Sequence, residues 1–263
     1  LFDNTISPFG NASFSQAALT FLTSIQADWR YVIPNDPSNP AAGSHPVLYV
    51  SGNAGVYRSV DNGVTWTEFP NQTFDNAPTD GGYLPNVQVN DLTMSLGQID
   101  PTTGRPNAKP GDPNVLLAST FGRGQFMIRL APLVFPTTLA LDPRLPLPSG
   151  SANGGTDSQG RQVVKVAQPV IDGLSEQTAF GNTVKITILD LTDPNNPRVI
   201  GGYNPALGTV NNPTDVPANY TDSAGRFQVQ VYPTGFTTNG PKTIGIQATD
   251  ASGTQGNIAT MSF

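Results

Sequence analysis

The chain has no cysteine, a single histidine and, among 263 residues, just two glutamates, Glu68 and Glu176. Without cysteine there is no disulfide framework, no thiol nucleophile and no thiolate-ligated metal, although the compartment is not fixed by that alone. One histidine excludes His-cluster metal sites. Any Ser-His-Asp triad would depend on His45 in a Gly-Ser-His-Pro loop, where the residue reads as ordinary loop polarity, and no Gly-x-Ser-x-Gly elbow accompanies it. Lysine is scarce too, with only Lys109, Lys165, Lys185 and Lys242. The net charge is -6, and both halves of the chain are acidic, so neither offers a basic footprint for nucleic acid or anionic lipid. No apolar run approaches the roughly 20 residues of a membrane span, so no membrane insertion is expected. The opening residues lack the basic start and apolar run of a signal peptide. They begin at Leu1 rather than methionine, which sets the expectation of a fragment with targeting or upstream domains elsewhere.

What fills the chain instead is glycine (27), proline (25) and the neutral polar residues, with charged residues at only 12%. That balance suits short strands joined by many turns, and it predicts an all-β protein. No convincing amphipathic helix is present; residues 15 to 25 are apolar enough, yet their β-branched and aromatic content leaves them ambiguous. The length predicts two domains with their own cores. The polarity profile, rich in Asn, Thr, Ser and Gln, is common among secreted bacterial β-proteins, and the expected location is extracellular or at a cell surface.

The first half contains a degenerate repeat. Val47-Leu48-Tyr49-Val50-Ser51, followed by Gly55-Val56-Tyr57-Arg58, recurs as Val115-Leu116-Leu117-Ala118-Ser119, followed by Gly124-Gln125-Phe126-Met127-Ile128. Each copy comes after a Pro/Asp/Asn turn, and each is preceded by an apolar segment, residues 19 to 25 and 87 to 92. Strand, turn, strand, glycine turn, strand is the plan of a propeller blade. After the first copy comes Ser59-Val60-Asp61-Asn62-Gly63-Val64-Thr65-Trp66. This segment resembles the Asp-box, or BNR repeat, of sialidase-like propellers, with Ser59, Asp61, Gly63, Thr65 and Trp66 at the defining positions. The residues carry folding tasks: Ser59 and Asp61 can bond the turn backbone, Gly63 can take positive φ, and Trp66 can bury its ring against the hairpin. A catalytic or metal-binding Asp61 is the competing reading. The second copy runs into Ala131-Pro132 without a fourth strand, and two blades cannot close a ring. The resemblance therefore implies that residues 1 to 132 are the C-terminal blades of a larger propeller, with the remaining blades upstream in the parent chain or on a partner protein.

Residues 133 to 161, with four prolines and the run Ser149-Gly150-Ser151-Ala152-Asn153-Gly154-Gly155, read as a linker, with residues 137 to 141 a candidate first strand of the second domain. Residues 162 to 263 read as a β-sandwich. Period-two segments at 163–167, 184–191, 226–231, 243–248 and 259–263 are separated by turns such as Asp193-Pro194-Asn195-Asn196. Pro169-Val170-Ile171-Asp172-Gly173 and Ala248-Thr249-Asp250-Ala251-Ser252-Gly253 resemble bacterial immunoglobulin-like repeats of large surface proteins. There is no Cys-Trp-Cys framework of the antibody type.

No residue can be assigned a catalytic role. Sialidase-like catalysis needs three arginines, a tyrosine assisted by a glutamate, and an aspartate, and no such set can be mapped onto this chain; paired aspartates of a xyloglucanase-like enzyme cannot be mapped either. Asp190, Asp193, Asp222 and Asp250 sit in oxygen-rich turns, the only candidate calcium set, with Asx-turns as the alternative. No other cofactor is expected. Arg123, between two glycines and beside Phe121, is the candidate ligand contact. Sequons at Asn11, Asn71 and Asn219 are expected by chance. The resulting expectation is a non-catalytic binding or structural module acting through protein or glycan contacts, with a glycoside hydrolase fragment and a self-assembling, homo-oligomeric surface layer or filament component as alternatives.

Overall fold

Turn residues and period-two segments resolve into strands throughout, and no α-helix occurs among the described residues. A computed structural model of the chain describes residues 21–36, 38–70, 84–85, 87–96, 98–99, 106–107, 114–142, 153–176, 184–203, 220–221, 224–232, 235–250 and 253–263. Among them no helix is long and apolar enough to cross a membrane. The chain divides into two compact units, Leu1–Ala131 and Pro132–Phe263.

The first unit contains two antiparallel meanders. Strands β1 (Leu22–Pro34), β2 (Ser44–Gly52), β3 (Gly55–Ser59) and β4 (Thr67–Phe69) pair in chain order. Strand β5 (Val89–Ser95) leads, past the small pair β6 (Gln98–Ile99) and β7 (Pro106–Asn107), to β8 (Val115–Thr120) and β9 (Gly124–Arg129), which form a three-stranded sheet in the order β5-β8-β9. Both copies of the sequence repeat are thus strand pairs, β2-β3 and β8-β9. The ambiguous segment ending at residue 25 is strand from Leu22 onward; residues 15 to 20 lie outside the described residues. That strand runs on to Pro34, well past the apolar segment, because two charges in its continuation neutralise each other. Asp28 and Arg30 are both fully buried and joined at 2.7 Å. Arg30 also donates to the Leu130 carbonyl at 3.4 Å and lies over the Tyr31 ring. His45 is likewise not loop polarity: it is the second residue of β2, buried, with Nδ1 3.1 Å from the Pro46 carbonyl.

Residues two apart share a face of a strand, so Ser24, Gln26, Asp28 and Arg30 lie together on β1. This polar face is the inner one. Ser24 donates to Asp91 at 3.0 Å and Gln26 to the Leu92 carbonyl at 2.8 Å. Thr23 also donates to the Val89 carbonyl. The side chains of β1 thereby hydrogen-bond to β5 across the gap between the two sheets. The opposite face carries Ile25, Ala27 and Trp29, with Ile25 61% and Trp29 49% exposed. Over residues 24 to 30 the usual polarity of a surface strand, with apolar residues in and polar residues out, is reversed; beyond them Tyr31 and Ile33 are buried.

The second unit has two four-stranded antiparallel sheets. One holds β10 (Ala140–Leu141), β13 (Val170–Leu174), β16 (Tyr220–Thr221) and β17 (Arg226–Gln230), in the order β10-β13-β17-β16. The other holds β14 (Lys185–Asp190), β15 (Arg198–Tyr203), β18 (Thr243–Thr249) and β19 (Gln255–Ser262), in the order β15-β14-β18-β19. A hairpin of β11 (Asn153–Thr156) and β12 (Gln162–Val164) stands beside them. Both sheets feed one core: Leu141, Ile171, Phe227 and Val229 from the first, and Ile186, Ile188, Ile200, Ile244 and Ile246 from the second. The stretch read as a linker therefore contributes β10 and the first strand of the hairpin, β11; its residues 143 to 152 lie outside the described residues.

Strand β15 did not stand out in the sequence because two glycines interrupt it. They are required by proximity: a Cβ on Gly201 would meet the Gln230 carbonyl, and one on Gly202 the Ile186 carbonyl. Gly256, also buried, is required for the same reason, because the Pro132 carbonyl occupies the place a Cβ would take. Next to it, the Asn257 side chain donates to the Val134 carbonyl at 2.8 Å and accepts from the Val134 N–H at 2.9 Å. An amide side chain there replaces a rung of backbone ladder.

Removing one partner of a buried ion pair strands the other charge, at a cost of about 3–5 kcal/mol. Arg30→Met is therefore expected to destabilise the first unit by that amount, and Asp28→Leu/Arg30→Met by distinctly less. Both tryptophans, Trp29 and Trp66, belong to this unit, so urea unfolding followed by tryptophan fluorescence reads the comparison directly.

Candidate functional site

The turn over residues 59 to 66 joins β3 to β4, and its side chains are spent on one another. Asp61 Oδ1 accepts from the Ser59 hydroxyl and from the Thr65 N–H, both at 2.8 Å, while Oδ2 accepts from the Thr65 hydroxyl. Ser59 Oγ in turn accepts from the Gly63 N–H at 2.8 Å. The Trp66 indole donates to the Gly63 carbonyl at 3.1 Å. Asn62 (φ 60) and Gly63 (φ 84) both take left-handed conformations, which asparagine tolerates and glycine adopts without cost. Trp66 itself is half-buried rather than fully enclosed. With both oxygens of Asp61 committed to the turn, the arrangement locks a hairpin.

Phe121 and Arg123 occupy the β8–β9 turn. Both are exposed, Phe121 at 69%, and the turn is held by glycines at φ 73 and φ 82 and by Phe121 N–H bonding to the Gln88 carbonyl at 2.9 Å. Arg123 has no ion-pair partner among the described residues. Met127 on β9 adds a further exposed apolar side chain, at 66%.

Of the four aspartates proposed for calcium, Asp222 lies outside the described residues, as do Asn11, Asn71 and Asn219 of the sequons. The others hold separate turns. Asp193 accepts from the Asn195 N–H at 3.0 Å, and Asp250 from the Thr254 N–H at 2.8 Å. Asp190 accepts from the Thr192 N–H at 3.0 Å and pairs with Arg198 at 2.7 Å. No three acidic, histidine or cysteine side chains gather into a metal-binding group among the described residues. For Asp190, burial pushes the carboxyl upward, but the bonds from Thr192 and Arg198 outweigh it and leave the carboxyl below its ordinary value.

The second unit contains a cleft of about 580 Å³, which no sequence motif announces. One wall is the β11–β12 hairpin and its continuation, including Arg161, Val164 and Lys165; the other is the segment from Phe236 to Lys242, and Phe263 also lines it. Its apolar surface includes Phe236 and Phe263, whose rings meet edge to face with centroids 5.7 Å apart. Backbone bonds pin the far wall: Phe236 N–H donates to Ala167 O at 2.8 Å, and Lys242 and Phe263 exchange two bonds at 2.8 and 3.0 Å. Lys242 is only 8% exposed, donates from Nζ to the Thr238 hydroxyl at 2.8 Å, and lies 5.7 Å from the centroid of the Phe236 ring. On the hairpin, Arg161 pairs with Asp157 at 2.6 Å, and the Arg161 N–H is accepted by the same carboxylate. This pairing holds Asp157 below its ordinary pKa. The only sequence trace of the cleft is that two of the four lysines fall within it.

No protein-family model matches the chain, and no curated protein matches it in sequence.

Asp61→Ala removes a carboxylate that accepts three bonds, and hydrogen bonds to charged groups are worth about 1.5–3 kcal/mol each when their partners are left unpaired. A loss of at least about 2 kcal/mol from the fluorescence-monitored transition is expected, with no change in any binding measured at Arg123. For Asp190, the folded pKa lies below the unfolded one, so its stabilising contribution is complete above about pH 4 and is lost as pH falls through the folded pKa. Calorimetric Tm of the wild type should drop in that acidic window, and Asp190→Asn should drop less steeply.

Proposed function

We propose that the chain is a non-catalytic binding and structural module of a large secreted or cell-surface protein, in which a partial propeller is followed by an immunoglobulin-like domain. The propeller reading is supported by two successive meanders, the first with four strands in chain order and the Ser59 to Trp66 turn between its third and fourth strands, as in a blade carrying an Asp-box. Juxtaposition of the first strands of the two meanders, β1 and β5, through side-chain bonds also fits neighbouring blades. For the second unit, the orders β10-β13-β17-β16 and β15-β14-β18-β19 correspond to the ABED and CFG sheets of the immunoglobulin arrangement with one strand added beside C.

The observation that carries the functional reading is the reversed polarity of β1. Its inner face is satisfied by β5, while Ile25 and Trp29 remain exposed on the other side, and Phe21 and Leu22 at the start of the strand are exposed as well. An apolar strip on a strand of this length is a contact surface. The occupant that fits it is a further sheet of the same kind, supplied by upstream blades of the parent chain or by a partner protein, just as β5 is packed on the inner side. Protein contact through rigid β-surfaces, rather than turnover, is then the activity of the first unit.

Labelling both tryptophans with 5-fluorotryptophan gives two 19F resonances, assigned by Trp29→Phe. In the chain alone, the Trp29 resonance should show a full solvent isotope shift. In the full-length parent, or in its complex with the partner, that shift should disappear while the Trp66 resonance is little changed. A Trp29 resonance that stays solvent-exposed in the assembled protein overturns the reading, and one that becomes shielded with rising concentration of the isolated chain assigns the strip to self-association instead.

A further inference from the structure

We propose that the cleft of the second unit is a binding site for a small organic carboxylate carried on a ring-sized body. Its volume, about 580 Å³, falls within the range of small-molecule sites, roughly 300–1,000 Å³, and it combines an apolar floor with a few convergent polar groups as such sites do. The charge balance is local and opposite to that of the chain. Among the side chains lining the cleft, the cations Arg161, Lys165 and Lys242 stand against one carboxylate, Asp157, in a protein of net charge -6.

Lys242 is the centre of the site. Its ammonium has three donors, and among the described residues one side-chain bond, to the Thr238 hydroxyl, takes one of them. No carboxylate pairs with it among the described residues. A largely buried cation without a counter-ion is costly unless something else supplies the compensation. Phe236 does so in part, with its ring 5.7 Å from the ammonium. A carboxylate entering the cleft would take the remaining donors, and Lys165, exposed and also without an ion-pair partner among the described residues, would add to the attraction from the rim.

The same geometry selects among anions. The guanidinium fork that best matches a phosphate belongs here to Arg161, and Asp157 already holds its Nε at 2.8 Å and its Nη2 at 2.6 Å. What remains is a point-like ammonium, which a carboxylate can engage without a matching fork. The paired rings of Phe236 and Phe263 supply a surface for a flat or pleated body next to the charge. Two bodies share this chemistry, an aromatic ring and a uronic sugar.

Phenylacetate and glucuronate, with 2-phenylethanol and glucose as their neutral counterparts, separate them. Titration of the 15N-labelled chain by NMR is expected to shift amides of residues 161–167 and 236–242 with one or both acids, and the tighter acid identifies the body. The neutral counterpart should bind at least roughly tenfold more weakly, as loss of a charged hydrogen bond implies. Lys242→Met, which keeps an unbranched side chain of similar length but removes the charge, should weaken the acid by a similar factor. Lys165→Gln, on an exposed side chain, should give a smaller loss that disappears at high salt. Should Lys242→Met fail to fold, Lys165→Gln and the acid-to-neutral comparison on the wild type still decide the matter. Absence of shifts with both acids at millimolar concentration, or equal binding of acid and neutral counterpart, overturns the proposal.

Discussion

Asp28 and Arg30 lie two residues apart on one strand, share its inner face and are closed off completely from solvent. Taking two charges out of water is favourable only when each satisfies the other and the leftover donors find acceptors. Here the leftover donor reaches the Leu130 carbonyl, a hundred residues along the chain, and the neighbouring Tyr31 hydroxyl reaches the Ala131 carbonyl at 3.5 Å. The pair thus ties the first strand of the unit to its last segment. It also sets register: a slip of one residue would carry both charges to the other face and bring Trp29 inward in their place. Once that face is committed to polar bonds with β5, the alternate residues Ile25, Ala27 and Trp29 have to face outward. The exposed apolar strip is therefore a geometrical consequence of the buried pair.

Local features of the fold were legible in the residue order, and long-range ones were not. The turn from Ser59 to Trp66 could be read because all its bonds run between residues no more than four apart. The strand pairs β2-β3 and β8-β9 were visible through repetition, and β14, β17 and β18 through alternation. By contrast, β1 looked short because Asp28 and Arg30 have the composition of a surface loop, and only a partner arriving from residue 130 explains their burial. His45 misled for a similar reason, since its Gly-Ser-His-Pro setting suggests a loop while β2 begins at Ser44. Strand β15 was hidden by Gly201 and Gly202, whose purpose is the close approach of backbone from elsewhere in the unit.

The cleft was illegible for a related reason. Its walls come from residues 157 to 167, 236 to 242 and 263, and none of these stretches carries a motif. Lys242 looks in the sequence like one scattered lysine among four. Only the folded unit shows that its ammonium lies 5.7 Å from the centroid of the Phe236 ring and donates to the Thr238 hydroxyl. The aspartates that did stand out, Asp190, Asp193 and Asp250, prove to hold turns one by one, because a short carboxylate next to free backbone N–H groups is satisfied locally before it can be shared.

The bonds between Asn257 and Val134 bear on how the second unit would respond to mechanical load. Pulling on the chain at Pro132 would be resisted, a short distance in, by a side-chain amide that grips the backbone from both sides, and by the Pro132 carbonyl seated against Gly256. Both anchor points lie on β19, an edge strand paired along its length with β18. Traction entering at Pro132 is thereby shared between this final strand and β13's continuation, where the Ser175 hydroxyl donates to the Leu133 carbonyl at 2.8 Å, so the load is spread over both sheets before either strand ladder is drawn on.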